Sequence, residues 1–115
     1  IFNLDKHTQP GSHWVALFIN TKRKEIYYMD SYGEDIPKGI EKFVDKVKSQ
    51  ATSQKLGTYN LIVSEKRHQY SDSECGMYSL YFIIELIKGK PFSRFNRKIK
   101  DKHMKQLRKI YFNKM

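Results

Sequence analysis

The chain has 115 residues, 22 Lys and Arg against 12 Asp and Glu, a formal net charge of +10 and a single cysteine. That length supports one domain with a modest core over residues 1–115. No apolar run reaches membrane-spanning length and no signal peptide is visible, so no membrane partner is expected, and one unpaired cysteine fits a reducing compartment, cytosol or nucleus.

The chain opens at Ile1 rather than Met, which reads as the N-terminal portion of a larger protein being absent. Residues 1–12 read as loop, with a turn at Pro10-Gly11. Trp14–Asn20 is a nearly continuous apolar run, the signature of a strand buried on both faces. A polar break, Thr21-Lys22-Arg23-Lys24, precedes a second strand over Glu25–Asp30, rich in aromatic and branched residues; so short a break predicts an antiparallel hairpin. Pro37 suits the first turn of a helix, and Ile36, Ile40, Phe43, Val44 and Val47 recur at helical spacing. Gly57 closes that segment, and Tyr59–Val63 is a third strand. A strand, a crossover helix and a strand predict parallel pairing.

From Cys75 to Ile87 the sequence is apolar on almost every side, so this helix is central and mostly buried. Asp72 or Ser73 would cap its start, and Gly89 and Pro91 end it. Residues 92–99 read as irregular. Asp101 looks like the N-cap of a last, basic helix with Met104, Leu107 and Tyr111 inward. The predicted class is α+β: a mixed sheet, one antiparallel hairpin plus one parallel strand, packed on a central helix that starts at Cys75.

The charge is unevenly placed. Lys88–Lys114 holds eleven basic residues and one acid, while the remaining eleven basic and eleven acidic residues cancel. A solvated helix face is the plainer reading. The other is a patch at residues 88–114 for nucleic acid or an acidic protein surface.

Cys75 stands where a polar loop enters the apolar helix. Unpaired N–H groups and the helix dipole favour a thiolate there. A buried structural cysteine is the commoner fate of a lone thiol. Gly76, however, would let a substrate backbone approach without a side chain in the way. His13 stands one residue before a strand and Asp30 ends its neighbour, so a hairpin brings the two together. That is the geometry of a carboxylate orienting an imidazole, or of an inconsequential surface pair. Gln69, six residues before Cys75, could donate an amide N–H to a developing oxyanion beside the Cys75 N–H. His7, His68 and His103 look incidental. Neither a metal nor a cofactor is expected: zinc-ligand spacing, a phosphate-binding glycine loop and a dinucleotide fingerprint are all missing from the sequence.

His13-Trp14, Asp30-Ser31, Gln69 and Cys75-Gly76 stand in the order and spacing of the Ulp1-like cysteine proteases. This adenain-like clan includes SUMO-specific proteases and adenovirus-type maturation proteases. The chain resembles them over roughly residues 11–112, and Ser73–Ser79 looks most like members encoded by large DNA viruses. The resemblance implies a papain-like, Ulp1-like fold with Cys75 as nucleophile, His13 as general base, Asp30 as its partner and Gln69 at the oxyanion hole. Trp14 would line a narrow tunnel over a small-residue tail, often Gly-Gly. Glu74 stands where many members have Asp, and family catalytic domains extend further at the N-terminus.

The implied activity is a thiol protease cutting after a Gly-Gly-X type motif. Its polypeptide substrate is a viral precursor or a ubiquitin-like modifier, in the cytoplasm or nucleus of the host cell or in the virion. The competing readings are an acyltransferase using the same triad and a non-catalytic module binding nucleic acid or protein through the basic segment. Oligomeric state is left open by the sequence.

Overall fold

The structure, a computed structural model, describes residues 1–4, 13–70 and 74–112. Its elements are β1 (Phe2–Asn3), β2 (Trp14–Asn20), β3 (Glu25–Met29), α1 (Lys38–Ser53), β4 (Asn60–Ser64), α2 (Cys75–Ile87) and α3 (Asp101–Tyr111), with a 3-10 helix at Phe92–Asn96. The sheet runs β1-β2-β3-β4. β2 and β3 pair antiparallel from Ala16↔Met29 to Asn20↔Glu25, and β3 and β4 pair parallel from Glu25↔Asn60 to Met29↔Ser64. The α+β class, the hairpin, the parallel strand and the central helix all stand as expected.

Strand alternation divides the core into two layers. Ala16, Tyr27 and Met29 face α2, where Met77, Tyr78, Tyr81, Phe82 and Leu86 meet them, with Phe95 and Met104 beyond. The alternate residues Val15, Ile26 and Tyr28 face α1 through Ile40, Val44 and Ala51. α2 is therefore apolar on most sides because it is wedged between the sheet and the C-terminal segments. It closes with a Schellman motif: the Gly89 and Lys90 N–H groups reach the Leu86 and Glu85 carbonyls, with Gly89 at φ +88.

Several details differ from the expectation. Residues 1–12 are not all loop, since Phe2 and Asn3 pair with Val15 and Trp14. β2 is buried on both faces only at Val15 and Ala16; Ile19, beyond the two residues that β1 flanks, is 38% exposed, and so is Trp14 although it pairs with Asn3. Pro37 sits at the N-cap of α1 rather than inside its first turn. Phe92–Asn96 is helical, because the rings of Phe92 and Phe95, three residues apart, both pack on Phe82. Glu74 occupies the N-cap of α2 and Lys100 that of α3. Asp101 is drawn elsewhere: its carboxylate accepts from the Tyr70 N–H at 3.0 Å and the Tyr78 hydroxyl at 3.0 Å. The Pro10-Gly11 turn, His7 and the capping candidates Asp72 and Ser73 lie outside the described residues.

Four chain segments converge at one end of the sheet. Parallel pairing brings the exits of β3 and β4 side by side, antiparallel pairing adds the entrance of β2, and α2 begins there. Gly33, at φ +77 in the turn after β3, lets the β4 exit come close: a Cβ there would stand 2.9 Å from the Arg67 nitrogen and 3.0 Å from the Glu65 oxygen. Both neighbours are backbone, so they have little room to yield. Gly33→Ala should therefore lower the unfolding free energy by roughly 1–3 kcal/mol in urea denaturation; a loss of only a few tenths would mean that residues 65–67 yield freely.

Candidate active site

The start of β2 and the end of β3 place His13 and Asp30 within bonding distance. His13 Nε2 lies 2.8 Å from Asp30 Oδ1. Asp30 is 1% exposed and its carboxylate also accepts the Tyr32 N–H at 2.9 Å, so its position is held by the protein. With Nε2 engaged, Nδ1 is the imidazole nitrogen that serves the second hydrogen bond, to Cys75.

Cys75 is the first residue of α2 and is 6% exposed. The backbone N–H of Trp14 points at Sγ from 3.4 Å. Burial pushes this thiol up. The bonds from His13 and the Trp14 N–H, the imidazole charge and the Gly76 N–H outweigh burial, and the thiol falls below its ordinary 9.0. The imidazole moves the other way, from 6.5 to about 10, first through its bond to Asp30 and then through its bond to Cys75, against the opposing effect of burial. Both shifts favour an imidazolium–thiolate pair at neutral pH.

Gln69 is fully buried and joins this group through Ser31. The Ser31 carbonyl accepts the N–H groups of both His68 and Gln69, at 2.7 and 2.8 Å, and the Ser31 hydroxyl donates to Gln69 Oε1. That bond fixes which end of the amide is the acceptor, so the other end carries the N–H donors. Gly76 faces the indole of Trp14, whose Cδ1 would stand 3.8 Å from a Cβ at that position. No group of three or more His, Cys, Asp or Glu among the described residues is placed to hold a metal ion. No helix among them is long and apolar enough to cross a membrane.

The profile of the Ulp1 protease family, C-terminal catalytic domain, matches residues 1–115. The chain belongs to the Ulp1 protease family. A candidate thiol protease of Acanthamoeba polyphaga mimivirus is 36% identical, covering 97% of this chain and 37% of the relative. A protein of African swine fever virus (isolate Pig/Kenya/KEN-50/1950), named SUMO-1 cysteine protease, is 31% identical over 97% of this chain and 42% of its own length. The crystal structure of the African swine fever virus protease superposes with a TM-score of 0.88 at 30% identity, over 98% of this chain and 43% of that one. The chain thus spans about two-fifths of the length of the relatives it matches.

Within this Ulp1-family fold, the sequence-predicted residues His13, Trp14, Asp30, Cys75 and Gly76 come together, with Gln69 tied in through Ser31. Others were missed. The Tyr32 ring lies 4.9 Å from the His13 ring. Arg67 stacks on Tyr32 and holds the Gln69 carbonyl from Nε at 2.9 Å. His68 is structural rather than incidental: it is fully buried, and its Nδ1 accepts the Ile99 N–H at 3.0 Å. Glu74, one residue before Cys75, is buried and paired with Arg108 of α3 at 3.0 Å.

The raised His13 fixes the sign of a pH effect. A group whose pKa is higher folded than unfolded stabilises the fold fully below about 6.5, and this contribution disappears as the pH rises through about 10. The lowered Cys75 thiol works in the opposite sense below its ordinary 9.0, so the test is made without it: the urea midpoint should fall between those pH values more steeply in Cys75→Ser than in Cys75→Ser, His13→Ala. Superimposable slopes would show that the imidazole is not held charged by Asp30.

Proposed function

We propose that residues 1–115 are a single catalytic domain of a thiol protease, with Cys75 as nucleophile, His13 as its acid–base partner, Asp30 orienting His13, and Gln69 with backbone N–H groups as oxyanion donors. The observation that carries this reading is the imidazole held between the Asp30 carboxylate and the Cys75 sulfur, with the sulfur also facing the Trp14 N–H. A structural cysteine needs no such polar surroundings.

In the proposed reaction the Cys75 thiolate attacks the scissile carbonyl carbon. The carbonyl electrons move onto oxygen, where the Gln69 amide and the Cys75 N–H can receive them. Collapse expels the amine, which takes the proton from His13 and leaves a thioester. His13, now neutral, takes a proton from water. The resulting hydroxide adds to the thioester and the thiolate departs, restoring the starting pair.

The substrate side follows from Trp14 and Gly76. A half-exposed indole beside the sulfur, next to a residue without a side chain, suits a small-residue tail laid along both, so cleavage after a Gly-Gly-X type motif is the proposed specificity. A viral precursor fits the viral relatives. A ubiquitin-like modifier fits the name carried by the African swine fever virus relative. Action in the cytoplasm or nucleus of the host cell, or in the virion, goes with either. The exposed lysines from Lys88 to Lys109 support contact of residues 88–114 with nucleic acid or an acidic surface as a second role of the same chain.

Two electrophilic probes test the reading in the full-length protein: a Gly-Gly-X peptide and a ubiquitin-like modifier, each ending in a group that traps thiolates. Adduct formation at Cys75 by peptide mapping is expected, and Cys75→Ser should keep the fold and lose turnover. Absence of any adduct from either probe would sink the protease assignment.

Gln69→Ala should lower turnover by roughly 100- to 1000-fold while changing iodoacetamide alkylation of Cys75 little, because the amide acts on the oxyanion rather than on the resting sulfur. Equal losses in both assays would place Gln69 in a purely structural role.

A further inference from the structure

A line of alternating rings and cations leads away from the candidate active site. It starts at the His13 ring, against which Tyr32 packs at 4.9 Å. The Arg67 guanidinium lies 5.3 Å from the Tyr32 centroid and 4.5 Å from that of Tyr70. Lys98 Nζ lies 4.1 Å from the same Tyr70 centroid. Tyr70 is 58% exposed, so the line is a surface feature and not part of the core.

At Lys98 the line meets a groove of about 550 Å³ beside α3. Its lining among the described residues includes Arg94, Lys98, Lys100, Lys102 and His103 and holds no Asp or Glu. The charges there are unequal. Arg94 is offset by Glu85 at 3.3 Å and bonded to the Tyr81 hydroxyl. Lys98, Lys100 and Lys102 are exposed, and among the described residues they form no ion pair. The nearby Asp101 carboxylate is engaged by the Tyr70 N–H and the Tyr78 hydroxyl, so lysines crowded along this groove repel one another, and an anionic ligand relieves that repulsion.

We propose that Arg67, Tyr70 and Lys98, continued by Lys100 and Lys102, form a docking site for a carboxylate-rich segment of the polypeptide substrate flanking the cleaved bond. Two observations favour an acidic peptide over nucleic acid. The line begins at the imidazole beside Cys75, so a chain bound across the sulfur extends naturally onto it; this point rests on the protease reading. The one exposed ring on the line already carries two cations, so it offers no open platform for a stacked base. Arg67 adds geometry to charge: with Nε on the Gln69 carbonyl, its two NH2 groups suit a forked contact with a carboxylate.

The test is binding in the full-length Cys75→Ala protein, which needs no turnover. Two labelled peptides share a Gly-Gly-X centre; one is flanked by Glu and Asp, the other by Gln and Asn. Anisotropy at about 50 mM salt should show the acidic peptide binding about tenfold tighter, with the advantage shrinking at about 300 mM. The preference should vanish in the triple variant Lys98→Glu, Lys100→Glu, Lys102→Glu. It should weaken in the Lys→Gln triple variant, which guards against misfolding caused by charge reversal. Equal affinity for the two peptides, or a preference that survives both triple variants, overturns the proposal. So does duplex DNA that displaces the acidic peptide and binds more tightly at matched anionic charge, which would assign the groove to nucleic acid. Probe labelling of wild-type Cys75 separates the two ideas. Labelling without an acidic preference sinks the docking site alone, and an acidic preference without labelling sinks the protease reading alone.

Discussion

Asp30 and Ser31 are adjacent, almost fully buried, and bonded to three other parts of the chain. The Asp30 carboxylate takes the His13 imidazole and the Tyr32 N–H. The Ser31 carbonyl takes two successive N–H groups from the β4 exit, and its hydroxyl takes Gln69. A buried carboxylate and a buried carbonyl are costly unless bonded, so folding cannot complete the sheet without also delivering His13 and Gln69. The positions of the candidate base and the candidate oxyanion donor are thus side effects of satisfying two consecutive polar residues.

The fourth participant, Cys75, arrives from the other layer, and its placement depends on how α2 is anchored. The Tyr78 hydroxyl, one turn into the helix, lies 2.7 Å from the Ile99 carbonyl and 3.2 Å from the His68 carbonyl, besides its contact with Asp101. Just before the helix, Glu74 reaches Arg108. α3 therefore braces the start of α2 at two points, through the Asp101 carboxylate and through the Arg108 guanidinium. Met104, fully buried beneath α3, supplies the apolar part of the same contact. A basic helix whose charge reads in sequence as a solvated face is thus joined, through its inner face, to the helix carrying the thiol.

The parts of this fold that could be read in the sequence are those whose signal is spread over several residues. β2 and α2 show as long apolar runs, β3 and β4 as clusters of aromatic and branched residues, and α1 by its helical period. Phe2–Asn3 is too short to have a period, and its strand character exists only because Val15 and Trp14 lie opposite. Asp101 has the chemistry of a cap, but Tyr70 and Tyr78, 31 and 23 residues away, compete for its carboxylate. In the site, His13, Asp30, Gln69 and Cys75 could be picked out because their side chains advertise reactive chemistry and the hairpin brings the first two together. The Ser31 hydroxyl and the Tyr32 ring could not, since a Ser and a Tyr in a turn have many possible fates. What they do is decided by the neighbouring β4 exit and by the extension of the β2–β3 pairing past its last ladder bond.

The donor that Trp14 offers the sulfur belongs to the main chain, not to the indole. Every residue except proline brings the same N–H. Replacing the side chain at this position, one residue type after another, would therefore reveal what the indole does and stay blind to this bond. Only swapping the amide for an ester would expose it. The bond is inherited through strand register rather than through residue identity, and it leaves no letter in the sequence by which descent could be followed.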